Sequence, residues 1–122
     1  MTARPKILVV EDDPLIREVM QTVLQDEGFD AHSAEDVQEA VKALESETPV
    51  DLVFADIDLG DRGGGYEVAR CARRRRPDVK IVYTSGGARE DFQQQRVDGA
   101  SFVPKPYVPT LVCAMLKQSL AG

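Results

Sequence analysis

Residues Leu52 to Gly60 read LVFADIDLG. Four apolar residues, Leu52, Val53, Phe54 and Ala55, stop abruptly at Asp56. A short run that is apolar throughout, rather than alternating, is what a strand covered on both faces of a parallel sheet requires. Such a strand delivers a polar side chain to the carboxyl edge, where open α/β sheets place their chemistry. Two other runs end alike: Ile7 to Val10 leads into Glu11, Asp12 and Asp13, and Ile81 to Tyr83 leads into Thr84, Ser85, Gly86 and Gly87. A fourth, Ser101 to Val103, leads into Pro104, Lys105 and Pro106. Acids for a metal, one reactive carboxylate, one hydroxyl and one lysine at a common rim suit phosphoryl chemistry.

The intervening segments carry helical spacing. Asp13 can cap a helix whose first position is Pro14, where a missing N–H costs nothing. Ile16, Val19, Met20, Val23 and Leu24 form its inner face, and Gly28 ends it. A short polar strand over Asp30 to Ser33 reads as an edge. Ser33 is expected to cap the second helix, with Glu35 and Asp36 in its first turn and Val37, Ala40, Val41 and Leu44 facing inward. Thr48 and Pro49 close it. The glycine-rich stretch Gly60 to Gly65 is expected to be a mobile loop before a third helix over Tyr66 to Arg75, with Val68, Ala69 and Ala72 inside and Pro77 as the stop. A fourth strand is expected over Val79 to Thr84. The fourth helix, near Arg89 to Val97, has only Phe92 and Val97 as large apolar residues and should be the loosest. Gly99 turns the chain into the fifth strand, and Pro109 opens a last helix with Leu111, Val112, Met115 and Leu116. Five βα units without linker or repeat predict a five-stranded parallel sheet of order 2-1-3-4-5, with helices on both faces.

With 122 residues, 43% hydrophobic and 30% charged, the chain reads as one soluble globular domain spanning 1–122. It contains no apolar stretch near the roughly 18 residues of a membrane span, and its N-terminus shows no cleavage pattern, so a cytoplasmic protein is expected. A net charge of −6 argues against a dedicated nucleic-acid binder. Cys71 and Cys113 fall on apolar helical faces without a neighbouring ligand and read as buried free thiols.

The pieces VVEDD (residues 9–13), FADIDLG (54–60), TSG (84–86) and VPKP (103–106) stand in order at four strand ends. In this arrangement the chain resembles the receiver domain of two-component response regulators over essentially its whole length. The resemblance implies a flavodoxin-like doubly wound fold and a phosphoryl group accepted on Asp56 from a sensor histidine kinase or a histidine phosphotransfer protein. It implies Mg²⁺ held by Asp12 and Asp56, by the backbone carbonyl of Asp58 and, through water, by Glu11. A hard cation that keeps several waters needs only these few oxygens, and it must neutralise charge before a carboxylate can attack a phosphoryl group. The acidic pair is Glu11 and Asp12, which directly follow Val9 and Val10, leaving Asp13 as a helix cap. Lys105 would contact a phosphoryl oxygen, and its bond to Pro106 is a candidate cis peptide. Ser85 falls at the switch-hydroxyl position, with Gly86 as the small residue beside it. Thr84 would point the opposite way in a regular strand. Phe102, three before Lys105, falls at the place of the aromatic that moves inward on phosphorylation. This local change would bias the surface of helix four, strand five and helix five, where an output partner or phosphorylation-dependent homodimer is expected. With no attached effector, the reading is a stand-alone receiver and not an independent enzyme.

The chain departs from the family pattern after the acceptor, where Gly60, Asp61, Arg62 and three glycines replace a compact proline turn. Asp58 places a second carboxylate two residues beyond Asp56, and its charge is expected to disfavour the phosphorylated form. One rival is a haloacid dehalogenase-like phosphatase, since Asp56-Ile-Asp58 mimics a D-x-D motif, although the chain is short for one. The other is a degenerate receiver acting as a constitutive protein-binding module. Plainer readings apply elsewhere. Asp12 and Asp13 alone could be dipole caps, His32 is an ordinary edge-strand residue, and Arg73 to Arg76 end an amphipathic helix rather than form a nucleic-acid patch. Gly63 to Gly65 lack the context of a phosphate-binding loop.

Overall fold

The computed structural model describes residues 4–60, 63–87 and 89–121. Its five strands are β1 (Lys6–Val10), β2 (Asp30–Ala34), β3 (Leu52–Asp56), β4 (Lys80–Ser85) and β5 (Ser101–Pro104). All pair in parallel in the order β2-β1-β3-β4-β5, with the polar β2 at one edge. Side chains leave a strand alternately on its two faces, and both faces of this sheet are covered. Leu8, Val10, Val53, Ala55, Ile81 and Tyr83 pack with α2 (Val37–Leu44) and α3 (Gly64–Arg75). Ile7, Val9, Leu52, Phe54 and Val82 pack with α1 (Pro14–Asp26) and α5 (Pro109–Ala121). This double covering is why the central strands are apolar without alternation.

Helix α1 begins as its sequence implies: Leu15 and Ile16 donate their N–H groups to Asp13 Oδ1 at 2.9 and 3.2 Å. Helix α2 does not. Its cap is Asp36, whose Oδ1 accepts the Glu39 N–H at 2.8 Å, while Ser33 belongs to β2 and donates its hydroxyl to Gln21. Ser33 and Ala34 are held in β2 by pairing with β1, so the helix cannot begin there and its cap falls to Asp36.

In the second half of the chain, three helices differ from the pattern expected of them. Helix α3 starts at Gly64 rather than Tyr66, so two of the three consecutive glycines form its buried first turn instead of a mobile loop. Gly63 caps it in the left-handed region at φ 72°. The remaining loop residues of that expectation, Asp61 and Arg62, lie outside the described residues. Helix α4 is one turn, Phe92–Gln95. Few apolar side chains anchor it, and arginines from α3 hold its flank: Arg70 donates to the Gln95 carbonyl at 3.3 Å and Arg73 to that of Asp98 at 2.7 Å. In α5 the core positions are Val112, Cys113 and Leu116, and Leu111 points outward. Cys113 is buried and Cys71 half-buried, both as free thiols. Among the described residues, no helix is long and apolar enough to cross a membrane.

Candidate functional site

The carboxyl ends of β1, β3 and β5 bring three predicted residues into contact. Asp56, the last residue of β3, is 4% exposed. Its Oδ1 accepts the Asp58 N–H at 2.9 Å, and its Oδ2 accepts from Lys105 Nζ at 2.9 Å. The same ammonium lies 2.6 Å from Glu11 Oε1. Glu11 follows β1, is 2% exposed, and accepts the Asp13 N–H on Oε2 at 3.1 Å. Lys105 follows β5, donates its own N–H to the Ser85 carbonyl at 2.9 Å, and is joined to Pro106 by a cis peptide bond.

Burial is the largest influence on the Glu11 carboxyl and pushes it up to about 7, with Asp56 adding to the rise. Burial alone would lower Lys105, yet Glu11 and Asp56 outweigh it and raise the ammonium above its ordinary value. Asp12 is exposed, but oxygens of Glu11, Asp12 and Asp56 lie within 4.8 Å of one another. Three carboxylates against one ammonium leave a formal excess of two negative charges. Crowded acidic oxygens of this kind fit a hard divalent cation better than they fit one another.

Asp58 turns its side chain elsewhere. Its Oδ2 accepts the Ser85 hydroxyl at 2.7 Å, and its Oδ1 accepts from Arg89 Nη1 at 2.7 Å. The charge expected to oppose phosphorylation is therefore paired with a guanidinium. A D-x-D phosphatase needs its second aspartate free to exchange a proton with substrate; here both oxygens of Asp58 are engaged. Thr84 is in register with Asp56, is 1% exposed, and its hydroxyl has no hydrogen-bond partner among the described residues. Ser85 leaves β4 on the opposite face, and its Oγ also accepts the Gly87 N–H at 3.3 Å. A Cβ added at Gly86 would meet nothing within 4 Å, so the approach beside Lys105 is open. Phe102 is 37% exposed, with its ring centroid 5.3 Å from that of Phe92.

Two contributors escaped the sequence reading. Gly65 lies against the backbone of Asp56, where any Cβ would collide with the Asp56 carbonyl. Arg89 joins Asp58 to Asp91 through three of its nitrogens, a contact spanning 31 residues that no local spacing announces.

A family model for the response regulator receiver domain matches residues 7–117. The chain belongs to this family. It is 32% identical over 104 residues to the nitrogen assimilation regulatory protein NtrX of Azorhizobium caulinodans, covering 83% of this chain and 23% of that protein. It is 34% identical over 116 residues to the phosphate regulon transcriptional regulatory protein PhoB of Klebsiella pneumoniae, covering 92% and 50%. The chain thus spans half or less of the length of these curated relatives. A crystal structure of a response regulator receiver protein from Sinorhizobium medicae superposes with a TM-score of 0.88 at 27% identity, covering 98% of this chain and 96% of that one. Receiver domains are signalling modules that take a phosphoryl group on aspartate from histidine kinases and bind Mg²⁺ at an acidic pocket.

Proposed function

We propose that Asp56 is the phosphoacceptor of this receiver, taking the group from a phosphohistidine on a sensor kinase or a histidine phosphotransfer protein. The observation that carries the reading is the Glu11, Asp56 and Lys105 contact, with Asp12 beside it. An Asp56 oxygen would form a bond to phosphorus as the donor's P–N bond breaks, the electron pair passing to the imidazole nitrogen and leaving an acyl phosphate. Mg²⁺, held by Asp12, Asp56 and the Asp58 carbonyl with Glu11 through water, would neutralise charge on the carboxylate and on the incoming group. Lys105, already at Asp56, would pair with a phosphoryl oxygen as a point charge.

The donor must cover the rim to reach Asp56. A groove of about 550 Å³ opens there on Gly86 and Lys105, walled by Leu15, Ile16, Val19, Tyr107 and Pro109. Leu15, at 69% exposure, offers apolar surface to the histidine-bearing protein. After transfer, the Ser85 hydroxyl would leave Asp58 for a phosphoryl oxygen, and Phe102 would move inward. The output is a protein contact made on the α4, β5 and α5 surface, by an effector or a second copy, in the cytoplasm.

Incubation with acetyl phosphate and Mg²⁺, followed by intact-mass measurement, tests the assignment. Wild type should gain one base-labile phosphoryl group, and chelation of Mg²⁺ should abolish the gain. Equal labelling of Asp56→Ala would overturn it.

A further inference from the structure

Asp58 and the start of α4 are joined by one side chain. Arg89 Nη1 donates to Asp58 Oδ1 at 2.7 Å, while Nε and Nη2 donate to the two oxygens of Asp91 at 3.3 and 3.1 Å. Asp91 directly precedes α4 and also accepts the Tyr66 hydroxyl at 3.0 Å. The Arg89 guanidinium lies over the Tyr66 ring, 5.7 Å from its centroid. On the other side, Asp58 Oδ2 holds the Ser85 hydroxyl. An unbroken series of polar contacts therefore runs from Ser85 through Asp58, Arg89 and Asp91 to α4.

We propose that Arg89 is a positioning residue that carries the state of the Ser85 hydroxyl to α4. The inference rests on the phosphoacceptor reading above. If Ser85 turns towards a phosphoryl group on Asp56, Asp58 loses the partner on one oxygen and is free to reorient about the other. Its remaining bond is charge-assisted, stronger than a neutral one, so the guanidinium follows the carboxylate. The opposite edge of the same rigid plane is forked onto Asp91, and a planar group cannot shift at one edge alone. Helix α4 is one turn long, with Phe92 as its apolar anchor and the Arg70 and Arg73 bonds at its far end, so its Asp91 end is the end that the bridge can displace. A coupling of this kind needs a physical element biased from both ends, and the Asp58–Arg89–Asp91 bridge is that element.

Amide hydrogen exchange at Phe92 to Gln95, with and without saturating beryllium fluoride and Mg²⁺, tests the bridge. Saturation removes any change in affinity from the comparison. In wild type, the phosphoryl mimic should change the exchange rate of these amides severalfold. In Arg89→Gln it should still bind while the α4 response falls at least fivefold. Arg89→Lys should not restore it, because one ammonium cannot span both carboxylates. If Arg89→Gln loosens α4 before any ligand is added, Asp58→Ala decides. That change removes the acceptor of the Arg89 bond and leaves Arg89, Asp91, Tyr66 and the residue-58 backbone carbonyl in place, so unliganded exchange should match wild type and the response should again be lost. A wild-type response in both Arg89→Gln and Asp58→Ala, or a wild-type α4 unmoved by bound mimic, would overturn the coupling. Failure of wild type to bind the mimic at all would instead overturn the phosphoacceptor assignment.

Discussion

Thr84 and Ser85 carry the same functional group one peptide apart, and their surroundings give them opposite parts. The Ser85 hydroxyl is bonded to Asp58, whereas that of Thr84 is buried beside the Asp56 register position without a partner among the described residues. A buried hydroxyl that makes no bond contributes only its desolvation cost, so an isosteric apolar replacement relieves it. Thr84→Val is expected to leave stability unchanged or raise it by up to about 1 kcal/mol, read as the urea midpoint, and to leave the mass gain from acetyl phosphate intact. Ser85→Ala should also be labelled on Asp56, but α4 should no longer respond. Strand alternation separates these two residues in the sequence. It says nothing of Arg89, because the partner of Asp58 is chosen by how the loop after β4 folds over the rim.

At the scale of elements, the start of α3 shows how a composition can be read correctly and its purpose missed. Three glycines after an acidic loop suggest freedom, yet Gly64 and Gly65 are buried, and Gly65 lets the helix touch the end of β3. Its N–H donates to the Ile57 carbonyl at 3.3 Å, and that of Gly64 to the Leu59 carbonyl at 3.2 Å, so α3 clasps the residues that follow Asp56. Gly65→Ala must push helix and strand apart. Overpacking of this sort costs about 1–3 kcal/mol, measurable by urea unfolding, and should slow phosphorylation by acetyl phosphate because Asp56 shares the displaced backbone. The weakness of α4 was legible from its three glutamines. Its pinning by Arg70 and Arg73 was not, since the same arginines read equally well as a solvated helix end.

For the whole molecule, the buried acid cluster links stability to pH. The folded chain favours protonated Glu11, so this group's contribution is complete below about pH 4.5 and is lost as pH rises through about 7. Without divalent cation, wild type should lose stability across that window more steeply than Glu11→Gln. The difference is at most ~1.4 kcal/mol per pH unit, the limit for one proton. Urea midpoints of both proteins in the presence of a chelator check it. Asp56 and Lys105 face Glu11 and remain in Glu11→Gln, so the comparison removes the titrating Glu11 carboxyl from a cluster whose other members are retained. Added Mg²⁺ should flatten the wild-type profile above pH 7, because the cation takes the place of the proton.

The amino-acid sequence alone determined the succession of strands and helices, the parallel order of the sheet, and which residues stand at its carboxyl edge. The elements follow from local periodicity and capping, which act over a few residues, and the strand order from the handedness and doubly wound pattern of successive βα units. Folding alone decided that Glu11 shares the Lys105 ammonium with Asp56, that Asp36 rather than Ser33 caps α2, that Gly65 makes room for the Asp56 backbone, and that Arg89 holds Asp58. Each depends on groups brought together from distant parts of the chain or on competition between neighbours, and a linear pattern holds no record of which contact wins.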